Sequence, residues 1–260
     1  MKRKVLVVIV GCIFVIGIAG SVCSAKTVKL KVPGGKIRCF YHESRGEIKR
    51  PAVLILPGLG GIRGSKREIY WSFARWLNKK YNFSVLAIDY LARSNEEVFR
   101  LAKEHGSQIF FKREVTTALE FLRKKENVDK DKIGVLGSSF GTELALLTAG
   151  REDCVKTVVL LSLITVPREH PLWSEYNPYL VESFAEYSGR SDLSTFFIGD
   201  KKDDMPRNKS NAAANALSWS QQVKGEAKIE ITNGGLHSAE LLEVRRIKKA
   251  VGEWLQKYLM

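Results

Sequence analysis

Lys132-Ile133-Gly134-Val135-Leu136-Gly137-Ser138-Ser139-Phe140-Gly141-Thr142-Glu143-Leu144-Ala145-Leu146-Leu147 is the stretch on which the fold turns. Residues 132–136 form a short apolar run that predicts a buried strand, and residues 142–147 predict a helix. Between them lies G-x-S-x-G. A strand that enters a helix through this pattern makes a strained turn, which pushes the hydroxyl of Ser139 out above the sheet. The residues two before and two after the serine must be small, because strand and helix pass very close there. Gly137 and Gly141 meet that need.

Outward from this turn the chain alternates strand and helix. Upstream, Thr27–Val32 and Ile37–Tyr41 alternate polar with apolar around Pro33-Gly34-Gly35 and predict an antiparallel hairpin. Ala52–Leu56, Ser84–Asp89 and Lys156–Leu163 are apolar enough to be buried on both faces. A helix is predicted near 65–80, with Ile69, Phe73, Trp76 and Leu77 as its stripe, and another near 108–126. Downstream come a strand at Thr195–Ile198, a helix near 208–222, a strand at Ala227–Ile231 and a terminal helix striped by Leu241, Val244, Ile247, Val251, Trp254 and Leu255. Strand and helix in alternation predict an α/β fold with a mostly parallel central sheet and helices on both faces. Residues 90–106 read as a loop. The stretch 164–192 breaks the rhythm with Trp173, Tyr176, Tyr179, Phe184 and three prolines, and reads either as a cap over the site or as a surface excursion.

A serine nucleophile needs a base and an orienting acid. For a serine on such a turn they follow in the order Ser, acid, His, each in a loop after a strand. Of four histidines, His42 and His105 precede Ser139, and His170 lies in the aromatic stretch. His237 follows the last strand, precedes the last helix and sits behind Gly234-Gly235, which makes it the candidate base. The acid falls in Gly199-Asp200-Lys201-Lys202-Asp203-Asp204. Asp203 has the better offset, with Asp200 as its alternative. Two N–H donors are needed for the oxyanion. Phe140 supplies one, and Leu59 in Pro57-Gly58-Leu59-Gly60-Gly61 supplies the other.

Taken together, Pro57-Gly58-x-Gly60-Gly61, Val85–Tyr90, Gly137-x-Ser139-x-Gly141, Gly199…Asp203…Pro206 and Gly235-x-His237 resemble the dienelactone hydrolase family of the α/β-hydrolase superfamily, over roughly residues 30–258. The resemblance implies hydrolysis of a small ester or related acyl substrate without metal or cofactor. Dienelactone hydrolases proper use cysteine where this chain has Ser139, which suits a general esterase, with lactonase or peptidase as relatives of the same machinery. The acidic loop is one residue longer than the family's, and Pro57 stands where the wider superfamily commonly has histidine.

Two other classes are open to the sequence. Gly58-Leu59-Gly60-Gly61 with Asp89 loosely matches a dinucleotide fingerprint and a nicotinamide-dependent oxidoreductase, but the sixth position is Arg63. The same fold also serves non-catalytic binding proteins.

The net charge is +14 over 260 residues. Its lysines and arginines are scattered, many at helix ends where cations suit the dipole, and no zinc-ligand spacing or RNA-recognition motif is present, so nucleic acid is not expected as a partner. Met1-Lys2-Arg3-Lys4, an uncharged stretch from Val5 to Ala25, and small residues before Lys26 predict a signal peptide over 1–25 ahead of a domain at 26–260. Export to the periplasm or medium follows, or else membrane anchoring through residues 5–25, which approach the roughly 20 needed to span a bilayer. Beyond the leader only Cys39 and Cys154 remain, and they are expected as free, packed thiols.

Overall fold

Consecutive apolar residues are satisfied only by burial on both faces, and the centre of the sheet is made from them. A computed structural model describes residues 26–59, 61–62, 65–90, 94, 97, 100, 104, 108–164, 187, 189–205 and 210–260. The strands are β1 (Lys26–Val32), β2 (Gly35–His42), β3 (Arg50–Leu56), β4 (Ser84–Ile88), β5 (Val128–Ser138), β6 (Val155–Leu161), β7 (Ser194–Asp200), β8 (Asp204–Met205), β9 (Ser210–Asn211) and β10 (Ala227–Thr232). Eight of them form one sheet in the order β1-β2-β4-β3-β5-β6-β7-β10, and β8 pairs with β9 apart from it. The hairpin β1–β2 and its junction with β4 are antiparallel, and every other pairing in the sheet is parallel.

Helices cover both faces. On one, α1 (Ser65–Tyr81) and the C-terminal helix pack Tyr70, Phe73, Leu77, Val251, Trp254 and Leu255 against Val53, Ile55, Val85 and Val159. On the other lie α2, α3 (Phe140–Arg151) and α4 (Ala212–Ser220). α2 consists of Gln108–Phe110, a π-helical turn Phe111–Val115 and Thr116–Arg123. Val115, Leu119, Leu144, Leu147 and Ala216 of these helices meet Leu54, Leu86, Val135 and Val158. The C-terminal helix α5 is Arg245–Leu259.

From β3 the chain crosses to β4 on one side, and β5 pairs with β3 on the other. The carboxyl ends of β3 and β5 therefore bound a crevice at a switch in strand order, the usual ligand position in such sheets.

Several boundaries differ from the sequence expectation. The buried stripe of α1 is Tyr70, Phe73, Ala74 and Leu77, while Ile69 and Trp76 are only partly covered. A π-turn adds a residue within α2, which periodicity counting does not detect. β7 extends through Gly199 to Asp200, because Asp200 pairs with Thr232 of β10. The helix expected from 208 begins at Ala212, capped by Asn211 Oδ1, which accepts the N–H groups of Ala213 and Ala214 at 3.0 Å each. The terminal helix is preceded by a separate 3₁₀ segment, Ser238–Glu243, with extended backbone at Val244 between them.

Cys39 and Cys154 are free and buried, and burial pushes the Cys39 thiol up to about 12. The leader expected over 1–25 and nearly all of the stretch 164–192 lie outside the described residues, as does most of 90–106. Among the described residues no helix is long and apolar enough to cross a membrane.

Candidate active site

Ser139 leaves the end of β5 with φ 50° and ψ −123° and starts α3. A side-chain-bearing residue at positive φ costs about 1–3 kcal/mol and persists only where its surroundings over-determine it. Here the Ser139 N–H donates to the Leu161 carbonyl (2.9 Å). Its own carbonyl accepts the Thr142 N–H (2.9 Å) and the Thr142 hydroxyl (2.6 Å). Glycine is required on both sides, for two different reasons. A Cβ on Gly137 would run into the Gly141 carbonyl in the first turn of α3. On Gly141 it would run into the Leu56 carbonyl of the neighbouring β3, so the second close approach is to a strand other than the one expected.

His237 stands on the loop after β10. Its Nε2 lies 3.0 Å from Ser139 Oγ, and its Nδ1 lies 2.9 and 3.0 Å from the two carboxylate oxygens of Asp203. The His237 N–H donates to Glu240 Oε2 (3.1 Å), which fixes the backbone from which the ring projects. Asp203 and Ser139 are buried, and about a third of the His237 side chain is exposed. The structure thus brings the three predicted residues into one hydrogen-bonded chain.

The three neighbouring aspartates have separate positions. Asp203 meets the imidazole. Asp204 Oδ1 accepts from Asn211 Nδ2 (2.7 Å) across the β8–β9 pair. Asp200, the alternative acid, does not face His237 but builds the floor of its loop. Oδ1 accepts the N–H groups of Lys202 (2.8 Å) and Gly235 (3.0 Å), and Oδ2 accepts the Thr232 hydroxyl (2.5 Å) and the Gly234 N–H (2.7 Å). Burial alone would raise its carboxyl, but the Thr232 hydroxyl and the three amides more than offset that and hold it far below the usual carboxylate range.

The loop after β3 lies directly against the serine: a Cβ placed on Gly58 would sit 3.1 Å from Ser139 Cβ. Tyr90 Oη donates to the Pro57 carbonyl (2.7 Å), Gly58 N–H points at Tyr70 Oη (3.4 Å), and Ile62 N–H donates to Asp89 Oδ1 (3.2 Å). Leu59, the donor expected from the sequence, follows Gly58 and packs partly buried against the core. Phe140 begins α3, and its ring packs edge-on to Tyr90 and Phe110 at 5.9 and 5.4 Å beneath the elbow. Asp89, considered as a ribose-binding acid, instead anchors this loop and pairs with Arg38 at 3.4 Å.

Of the other histidines, His42 is 1% exposed, and neither ring nitrogen has a hydrogen-bond partner. Burial and the Arg75 charge push it down to about 4. His105 and His170 lie outside the described residues. Sequence reasoning missed Tyr70, Ser138 and Ser238, although a serine flanking each of Ser139 and His237 was a visible signal.

The family model described as alpha/beta hydrolase fold matches residues 51–200, more than half of the chain. No sequence among the curated proteins matches it. Among solved structures, a dienelactone hydrolase from Anabaena variabilis superposes with a TM-score of 0.62 at 17% identity, over 90% of this chain and 96% of that one. A thermophilic carboxylesterase from a metagenomic library gives 0.65 at 18%, over 91% and 90%. A dienelactone hydrolase-like promiscuous phosphotriesterase, also from metagenomic libraries, gives 0.64 at 17%, over 91% and 99%. At such identities these likenesses speak for the fold, and the matched segment agrees with them by carrying β3, the elbow and β7. The chain belongs to the alpha/beta hydrolase fold family.

Proposed function

We propose that the protein is a serine hydrolase, nearest the dienelactone hydrolase-like esterases, that cleaves a small carboxylic ester or related acyl bond through an acyl-enzyme. The observation that carries this is the continuous chain Ser139 Oγ–His237 Nε2 and His237 Nδ1–Asp203, at 3.0 and 2.9 Å, with the serine at positive φ above the sheet. In the proposed cycle Ser139 Oγ attacks the carbonyl carbon while His237 Nε2 takes its proton, and Asp203 stabilises the imidazolium through Nδ1–H. The N–H groups of Leu59 and Phe140 hold the oxyanion, each worth on the order of 3 kcal/mol. Collapse returns the proton from Nε2 to the leaving alcohol. Water, deprotonated by His237, then attacks the acyl-enzyme and releases the acid. The cycle needs no metal or organic cofactor.

A signal peptide over 1–25 would place this activity in the periplasm or medium, and an uncleaved segment 5–25 would tether it to a membrane. Residues 164–192 are proposed as a cap that selects the acyl group. A panel of p-nitrophenyl esters of rising chain length tests the chemistry. Wild-type protein turns over at least one member and is labelled by a fluorophosphonate probe, and Ser139→Ala loses both while keeping its fold. Ester turnover retained in Ser139→Ala refutes the proposal, and folded wild-type protein that neither labels nor turns over favours a non-catalytic binding protein.

A further inference from the structure

One buried hydroxyl bonds the residue before Ser139 and the residue before Leu59, and the residue after His237 lies beside them. Tyr70 lies in α1, on the face of the sheet away from α3, and is fully buried. Its Oη is 2.5 Å from Ser138 Oγ, and Ser138 directly precedes Ser139. The Gly58 N–H points at the same oxygen from 3.4 Å, and Gly58 directly precedes Leu59. Ser238, which directly follows His237, brings its Oγ to the same place: a Cβ built on Gly58 would lie 3.4 Å from it. Ser238 Oγ is buried and has no hydrogen-bond partner among the described residues. A tyrosine hydroxyl has two acceptor sites and one proton. The Tyr70 hydroxyl accepts the Gly58 N–H and shares a hydrogen bond with Ser138 Oγ in which either oxygen can donate.

The backbone around this hydroxyl is strained. Among the described residues four non-glycines have positive φ, and three of them are Ser139 (50°), Ser162 (52°) and Ser238 (62°). Ser162 Oγ accepts the Ser238 N–H at 2.8 Å. Strained serines thus stand at the elbow, at the end of β6 and beside His237, and all three adjoin the same polar cluster. Positive φ costs free energy unless the surroundings hold it. The elbow, the loop after β3 and the His237 loop belong to segments far apart in sequence. The Tyr70 hydroxyl bonds two of them, through Ser138 and Gly58, and Ser238 of the third lies against Gly58.

We propose that Tyr70 is a positioning residue, whose hydroxyl holds the nucleophile elbow and the oxyanion loop in register through Ser138 and Gly58. This rests on the hydrolase chemistry proposed above. Tyr70→Phe keeps the ring that fills the α1–sheet interface and removes only the oxygen. Misplacing reacting groups by a fraction of an ångström lowers turnover more than binding. Tyr70→Phe is therefore expected to lower kcat about ten- to a hundredfold with KM within about twofold, and to slow fluorophosphonate labelling in parallel. Ser138→Ala, which leaves Tyr70 intact, is expected to move the same way. The double variant loses far less than the product of the two single losses, because both act on one linkage.

The measurement is steady-state kinetics on the ester panel well below each variant's melting midpoint, with wild type and Ser139→Ala alongside. A merely structural tyrosine lowers the melting midpoint and leaves kcat unmoved. Wild type active, Ser139→Ala inert and Tyr70→Phe equal to wild type in kcat overturns the positioning role while the hydrolase proposal stands. Wild type inert to both ester and probe overturns the hydrolase proposal itself. If Tyr70→Phe does not fold, Ser138→Ala decides: wild-type kcat there overturns the positioning role.

Discussion

Asp200 and Asp203 lie three residues apart and are predicted to fail in opposite ways when each is changed to asparagine. Asp200 is fully buried and accepts four hydrogen bonds, two on each oxygen. In Asp200→Asn one oxygen becomes an NH₂ group. Its least costly placement is Oδ2, because the Thr232 hydroxyl can rotate and accept, which leaves only the Gly234 N–H facing a donor. Loss of one charge-assisted bond, weakening of the rest and one unpaired amide cost about 2–4 kcal/mol. The pH dependence carries a definite sign. The folded carboxyl of Asp200 is depressed, so its contribution is complete above the unfolded value of about 3.9 and is lost as pH falls below it. The wild-type advantage over Asp200→Asn at pH 3 should therefore be about 1 kcal/mol smaller than at pH 7. Urea unfolding at both pH values measures this. Asp203→Asn should instead stay within about 1 kcal/mol of wild type in stability and lose roughly 10³- to 10⁴-fold in kcat, through the wrong imidazole tautomer. A stable Asp200→Asn, within about 0.5 kcal/mol at pH 7, or a gap that widens at pH 3, refutes the structural role given to Asp200.

Gly141→Ala and Gly137→Ala should each cost about 3 kcal/mol or more, because the new methyl meets backbone that cannot move aside. Gly46→Ala is the control: φ there is +86° with nothing within 4 Å, and about 1 kcal/mol is expected. Thermal melts rank the three, and equal losses would count against the close approaches. His42, pushed down to about 4 by burial and Arg75, binds its proton in the unfolded chain near 6.5 and refuses it in the fold. Wild-type stability should therefore fall between about pH 6.5 and pH 4, and His42→Leu should flatten that part of the profile. An unchanged slope in the variant would show that His42 titrates normally.

The parts of the fold legible in the sequence are those where one physical demand dominates. Ala52–Leu56 reads as a central strand because nothing but burial on both faces suits five apolar residues in a row. Ser139 and His237 are legible because turn chemistry and chain order converge on them. Asp203 was separable from Asp200 only by offset, since both are aspartates in one polar stretch. What distinguishes them is the pairing of Asp200 with Thr232, a contact between strands that no local pattern contains. Tyr70 was illegible for a similar reason. By composition it is one more aromatic residue on an amphipathic helix, and its hydroxyl acquires meaning only when Ser138 arrives from the end of β5 and Gly58 from the loop after β3.

β10, which carries His237 on its following loop, is one of the two edge strands of the sheet and the last of the described strands in the chain. His237 therefore meets Ser139 only once β10 has docked on β7. In the chemistry proposed above, Ser139 has no partner to take its proton before that docking. The strand order thus ties the proposed reactivity to completion of the sheet at this edge.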